Sequence, residues 1–259
     1  MTRARVIAAG ETNVGMKRTH NEDNFAVLDE DALYVVADGM GGHASGEVAS
    51  QMAIDTLREF FRATSADPEA TWPYKMDKAR GYEENRLITS IKLANLRIYE
   101  AAQRDPKLRG MGTTLVSVIV VDDGVLIAHV GDSRCYRLRD GKLEQLTEDH
   151  SLLNDYIKMK RLSEEEIANF PHKNVIVRAL GMKESVKVDV QLDKPQPGDI
   201  YVLCSDGLCG PASDEEIHEI VMAEHKDLKG AASKLIERAN ANGGPDNITV
   251  VLAKVIGIG

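Results

Sequence analysis

The feature that most constrains this chain is a series of short, apolar, Val- and Ile-rich runs separated by tight-turn signals. They fall at 33–37, 114–121, 125–130, 186–192, 200–204 and 248–255, and each reads as a strand. Residues 1–10 read as a further, first strand. Asp122-Asp123-Gly124 joins the second and third of these runs, and Asp140-Gly141 joins the next strands. Both are hairpin signals, so the sheets are expected to be antiparallel.

Two long helical patterns interrupt the strands. Val48, Ala49, Met52, Ala53, Leu57 and Phe60 form one apolar face, and Leu87, Ile91, Ala94, Ile98 and Ala101 form another. The stretch 63–78 between them, with Pro68, Trp72 and Pro73, reads as a loop. Ser213-x-x-Glu216 is a capping box opening a helix through Val221, and a further helix runs from about Leu228 to Asn240. Helices in pairs between hairpin strands indicate an α+β fold. The segment 147–180 is polar, carries Ser163-x-x-Glu166 as a helix start, and is broken at Pro171; its length fits a lid or binding loop. With 259 residues and no internal repeat, one domain over 1–259 is the expectation.

Composition excludes several classes of function. A net charge of -9, from 32 basic and 41 acidic residues, argues against a nucleic-acid or anionic-membrane surface. No apolar run approaches the roughly 20 residues that span a bilayer. Three cysteines, Cys135, Cys204 and Cys209, lack ligand or framework spacing, which fits a reducing cytoplasm.

The chemistry lies in acids placed beside strands. Val36-Ala37 runs into Asp38-Gly39, Val130 into Gly131-Asp132, and Cys204-Ser205 into Asp206-Gly207, while Asp246 immediately precedes the last strand. One Asp-Gly is an ordinary turn. Several of them, if the strands align, gather on one rim, where their repulsion calls for cations. Carboxylates without paired His or Cys suit Mg²⁺ or Mn²⁺ rather than Zn²⁺. Arg18, close to Glu22 and Asp23, adds a guanidinium able to grip a phosphate through two hydrogen bonds.

With these pieces in order, the chain resembles the metal-dependent, type 2C family of Ser/Thr protein phosphatases, in its bacterial form. The matching segments are Gly15-x-x-Arg18-x-x-Asn21-Glu22-Asp23, Val36-Ala37-Asp38-Gly39-Met40-Gly41-Gly42-His43, Gly110-Met111-Gly112-Thr113-Thr114, Gly131-Asp132-Ser133-Arg134, Cys204-Ser205-Asp206-Gly207-Leu208 and Gly244-Pro245-Asp246-Asn247. The resemblance implies a central sandwich of two antiparallel sheets with paired helices on each outer face and a flap over about 147–180. It implies two catalytic Mn²⁺ or Mg²⁺ ions bridged by Asp38. Asp206 and Asp246 complete the first, and the Gly39 carbonyl and Glu22, largely through water, complete the second.

Asp23 matches an acid that orients metal-bound water, and Arg18 matches the phosphate-binding arginine. A third metal is allowed at Asp132 and Asp206, with Asn174 nearby. Phosphorylated Ser/Thr proteins are the implied substrates and a bacterial Ser/Thr kinase the implied opponent, for a cytoplasmic monomer.

Met40 stands where many eukaryotic members carry a His, so the leaving-group acid stays open; His43 reads as a capping or packing residue. His129 reads as a satisfied interior group, and most of the other histidines as surface or packing residues. Two other readings remain: a two-metal phosphatase or phosphodiesterase acting on small phosphoesters, and a relative that binds phosphoproteins with little catalysis.

Overall fold

The structure, a computed structural model, describes residues 3–41, 45–67, 71–160, 166–167 and 175–259. Its strands are β1 (Ala4–Asn13), β2 (Asp23–Leu28), β3 (Leu33–Met40), β4 (Gly112–Thr113), β5 (Leu115–Val121), β6 (Gly124–Val130), β7 (Arg134–Arg139), β8 (Lys142–Gln145), β9 (Asp189–Asp193), β10 (Ile200–Cys204) and β11 (Ile248–Ile258). One sheet has the order β1-β11-β10-β7-β8 and the other β2-β3-β5-β6-β9, with β4 beside β3. Every pairing between these strands is antiparallel. The two expected hairpins are present. Val121 pairs with Gly124, and Arg139 with Lys142, leaving Asp140 and Gly141 at φ 48° and 72°. That left-handed pair defines a turn whose twist matches the strands.

The sheets face each other across a core of Tyr34, Val36, Val118, Ile127, Leu203 and Val251. Alternate residues of the same strands, such as Leu33, Val35 and Ala37, lie under helices on the outer face. Because both faces are covered, the strands read as continuous apolar runs rather than as alternating ones. Helices α1 (Ser45–Ala66) and α2 (Tyr82–Arg104) cover the second sheet, through Ala53, Leu57 and Phe61 of the first and Leu87, Ile91 and Ile98 of the second. Beyond α3 (Leu152–Lys160) and the single turn α4 (Asp206–Cys209), α5 (Asp214–Ala223) and α6 (Leu228–Ala241) cover the other sheet. The αββα layering expected from the sequence is the one observed.

Four local readings need correction. Val48 is exposed, one position off the buried stripe of Ala49, Ala53 and Leu57. Helix α1 continues to Ala66, into the stretch expected to be a loop, because Arg86 of α2 reaches back to its last turn. Arg86 Nη2 donates to the Phe61 carbonyl (2.7 Å) and Nε to Thr64 Oγ1 (2.7 Å). The strand expected from Val186 begins at Asp189, since Asn95 Nδ2 holds the carbonyls of Lys183 and Glu184 (3.0 and 2.9 Å) and draws the chain towards α2. Helix α3 was not expected; Ser151 Oγ accepts from Asn154 N–H (3.2 Å) and opens it. The helix start at Ser163 and the break at Pro171 lie outside the described residues. Among those residues, no helix is long and apolar enough to cross a membrane.

Candidate metal centre

Antiparallel order brings the acids to one rim. Strands β3, β6 and β10 end where β2, β5 and β11 begin: Asp38 lies opposite Asp23, Leu115 opposite Val130, and Cys204 opposite Val250. Asp132 follows β6, Asp206 follows β10 and Asp246 precedes β11, so all three fall at the same end. Their carboxyls lie close enough to act on one another's charge. Burial first, then the charges of Asp23, Asp206, Asp132 and Asp246, hold the Asp38 carboxyl well above its ordinary range. Asp206 is raised by burial and by Asp246, against a hydrogen bond with Asp38. Two carboxyls can share that bond only if one of them carries a proton, so without a cation the cluster retains one.

Asp23 is buried, and its Oδ2 accepts from Ser205 Oγ (2.8 Å) and Thr249 Oγ1 (2.7 Å). Burial pushes it up to about 6 despite those two donors. Burial, with Asp206 and Asp149, pushes Asp132 up to about 7, and its buried Oδ1 has no hydrogen-bond partner.

Glu22 is fixed on three sides. Its N–H donates to Asn247 Oδ1 (2.8 Å), its carbonyl accepts from Gly39 N–H (3.1 Å), and Oε1 accepts from Gly46 N–H (3.2 Å) at the start of α1. A Cβ at Gly39 would lie 2.2 Å from the Gly46 carbonyl oxygen and 2.4 Å from that of Glu22. Only glycine lets strand, loop and helix approach so closely beside the acids. Arg18 is half-exposed at the mouth, its Nη2 donating to Asp246 Oδ2 at 2.7 Å. All eight residues singled out from the sequence, Arg18, Glu22, Asp23, Asp38, Gly39, Asp132, Asp206 and Asp246, thus belong to this rim or its supports. His43 and Asn174 lie outside the described residues.

Sequence reasoning assigned no role to the side chains that hold the acids. Asn247 Nδ2 donates to the carbonyls of Val14 and His20 (2.9 and 2.8 Å), which closes the Arg18–Glu22 loop over the rim. Ser205 and Thr249 orient Asp23. Thr249, a lone hydroxyl within the apolar run of β11, was the available signal.

A different group, His129, His150 and Asp189, is the one among the described residues whose ligand-type atoms all lie within 4.8 Å of one another. Arg178 already occupies that position, its Nη1 lying 3.0 Å from His150 Nε2 and 3.1 Å from Asp189 Oδ2.

At the rim the fit to a hard divalent cation is good. The donors are all oxygen, their mutual repulsion is only partly offset by Arg18 at Asp246, and a buried carboxylate oxygen is orphaned. An αββα sandwich with such a rim is built for metal-assisted chemistry on an anionic substrate.

The sequence pattern of the protein phosphatase 2C family matches residues 15–252. The serine/threonine phosphatase stp of Listeria monocytogenes is 40% identical over 250 residues, covering 94% of this chain and 93% of that protein. The crystal structure of the Mycobacterium tuberculosis serine/threonine phosphatase PstP superposes with a TM-score of 0.83 at 34% identity, covering 99% of this chain and 100% of that one. A structure of the PstP catalytic domain in complex with two manganese ions gives a TM-score of 0.79 at 34% identity, with coverage of 99% and 100%. The chain belongs to the protein phosphatase 2C family.

Proposed function

We propose that this chain removes phosphate from phosphoserine and phosphothreonine in other proteins at the acidic rim. It is a metal-dependent protein Ser/Thr phosphatase, as its family and relatives are. The observation that carries the residue assignment is the convergence of Asp23, Asp132, Asp206 and Asp246 on Asp38, each of those four carboxylates raising the pKa of the fifth. Two Mn²⁺ or Mg²⁺ ions held there would supply a water of lowered pKa and positive charge to offset the phosphoryl oxygens. Asp38, at the centre, would serve both. Asp206 and Asp246 would complete one site, Glu22 and the Gly39 carbonyl the other, and Asp132 with Asp206 would offer a third. Asp23, held by two hydroxyls, would orient a water.

Arg18 binds the substrate phosphate. Its pair with Asp246 is half-exposed and therefore weak, so the guanidinium is available to form two parallel bonds with a phosphate. We read 1–259 as one catalytic domain with a flap over 147–180, whose ends are tied by the bridges Ser151–Ile176 and Thr113–Leu180. A cytoplasmic monomer opposing a Ser/Thr kinase completes the proposal.

The test is phosphate release from a phosphothreonine peptide with Mn²⁺, with Mg²⁺ and with chelator. Release with either ion and none with chelator is expected. Equal release in chelator would overturn the assignment of the rim.

A further inference from the structure

Both ends of the 147–180 segment meet at His150, and every polar atom of that residue is engaged. Its side chain is buried. Gly131 N–H donates to His150 Nδ1 (3.0 Å), His150 N–H donates to the Gly131 carbonyl (2.9 Å), and Val177 N–H donates to the His150 carbonyl (2.9 Å). Because Nδ1 accepts from the fixed backbone N–H of Gly131, Nε2 carries the proton and donates it to Asp189 Oδ2 (2.9 Å); Arg178 Nη1, itself a donor and 3.0 Å from the same Nε2, directs its own proton to that carboxylate. Asp189 also receives Arg178 at 3.1 Å and Lys187 at 3.3 Å. The His129 ring stacks on His150 at 4.6 Å, its own Nε2 donating to the Glu148 carbonyl (2.8 Å). Burial pushes the His150 imidazole down to about 4, so it is neutral at working pH and its tautomer is set by its two neighbours.

The partner of Nδ1 is the turn that carries Asp132. Gly131 has φ +113°, and a Cβ there would stand 2.6 Å from Thr114 Cβ, so the turn admits glycine alone. Glycine contributes no side chain to hold its own conformation. Two hydrogen bonds to His150 restrain it, and the next residue presents a buried carboxylate oxygen without a partner.

We infer that His150 is a positioning residue of the phosphatase site, its Nδ1 clamping the Gly131-Asp132 turn to the base of the 147–180 segment so that Asp132 faces the rim. The inference rests on the proposed metal-binding role of Asp132. Asp189 acts one step further out, fixing the tautomer that leaves Nδ1 free to accept.

Two substitutions separate the ring nitrogens. Asparagine places its carbonyl oxygen near the Nδ1 position and keeps the acceptor for Gly131. Glutamine reaches the Nε2 position and keeps the donor for Asp189, but loses that acceptor. In the metal-free protein, His150→Gln should speed amide hydrogen exchange at Gly131 about tenfold or more, while His150→Asn stays near wild type.

Towards a phosphothreonine peptide, His150→Gln should lower kcat about tenfold and raise the Mn²⁺ concentration for half-maximal rate, with KM unchanged; His150→Asn should recover most of the loss. Asp189→Ala, at a partly exposed position, should move the same readouts in the same direction by less, and it carries the test if His150→Gln does not fold. Unchanged Gly131 exchange in His150→Gln, or in Asp189→Ala if that variant carries the test, overturns the inference. So does equal loss in the Asn and Gln variants, which would place the effect in the imidazole ring as a whole rather than at Nδ1, and so does loss in the Asn variant alone, which would place it at Nε2. Faster exchange with unchanged turnover and Mn²⁺ requirement also overturns it. Asp132→Asn measured alongside then shows whether the failure lies with Asp132: an unchanged Asp132→Asn enzyme removes the role proposed for that acid, and an impaired one leaves it standing.

Discussion

Replacing Asp132 by Asn should stabilise the metal-free protein, and only where the aspartate is charged. The carboxyl is 8% exposed, its Oδ1 has no partner, and its pKa is pushed from the ordinary 3.8 to about 7. The folded state therefore binds this proton more tightly than the unfolded chain does. The wild type loses stability as pH rises between those two values, and the loss levels off above about 7. At about 1.36 kcal/mol for each tenfold difference in proton affinity, the ceiling is about 4 kcal/mol, and local relaxation lowers it to about 2–4 kcal/mol. For a chain of this size, about 1 kcal/mol moves Tm by roughly 2–4 °C. In chelator at about pH 8, Asp132→Asn should then melt roughly 4–16 °C above wild type, and near pH 4 the gap should shrink to roughly 1–2 °C. Saturating Mn²⁺ should narrow or reverse the gap, because the wild type gains more from binding. A gap that does not change with pH, or none at pH 8, would refute the reasoning that Asp132 is a desolvated, unpaired carboxylate.

Other substitutions test the remaining parts of the rim. Asp38→Asn, Asp206→Asn and Asp246→Asn should each cut turnover by more than about 100-fold with the fold retained, since even partners of metal ligands are worth about 10–100-fold; circular dichroism and peptide dephosphorylation check both halves. Arg18→Ala should raise KM for a phosphopeptide and leave metal affinity nearly unchanged, and Arg18→Lys should rescue only part of the loss because the fork geometry is gone. Thr249→Val removes one of the two hydroxyl donors to Asp23 and should cost about 1–3 kcal/mol, measured by denaturant unfolding in chelator.

What could be read in the sequence is what depends on local chemistry. Asp140-Gly141 is legible because a tight hairpin needs left-handed backbone, and few residues supply it. Asp38, Asp132, Asp206 and Asp246 are legible because each acid abuts an apolar run, and antiparallel pairing leaves one rim for them to share. Arg86, Asn95 and Asn247 are not legible in this way. Each acts through side-chain bonds to backbone far along the chain: Arg86 to Phe61, Asn95 to Lys183 and Glu184, and Asn247 to Val14 and His20. Those bonds lengthen α1, delay β9 and close the Arg18 loop. Helix α3 is hidden for a different reason, its nine residues lying in a polar stretch with a single serine cap as the signal. His150 reads as one scattered histidine until tertiary contact sets it against Gly131 and Asp189.

The central claim is that this rim holds divalent cations around Asp38. Anomalous diffraction at the manganese edge, from crystals of the wild-type protein grown with Mn²⁺, tests it most directly. The account predicts two strong peaks that share Asp38, one within bonding distance of Asp206 and Asp246 and the other beside Glu22 and the Gly39 carbonyl. Crystals that bind manganese elsewhere and show no peak at Asp38, in an enzyme still active towards a phosphothreonine peptide, would contradict it.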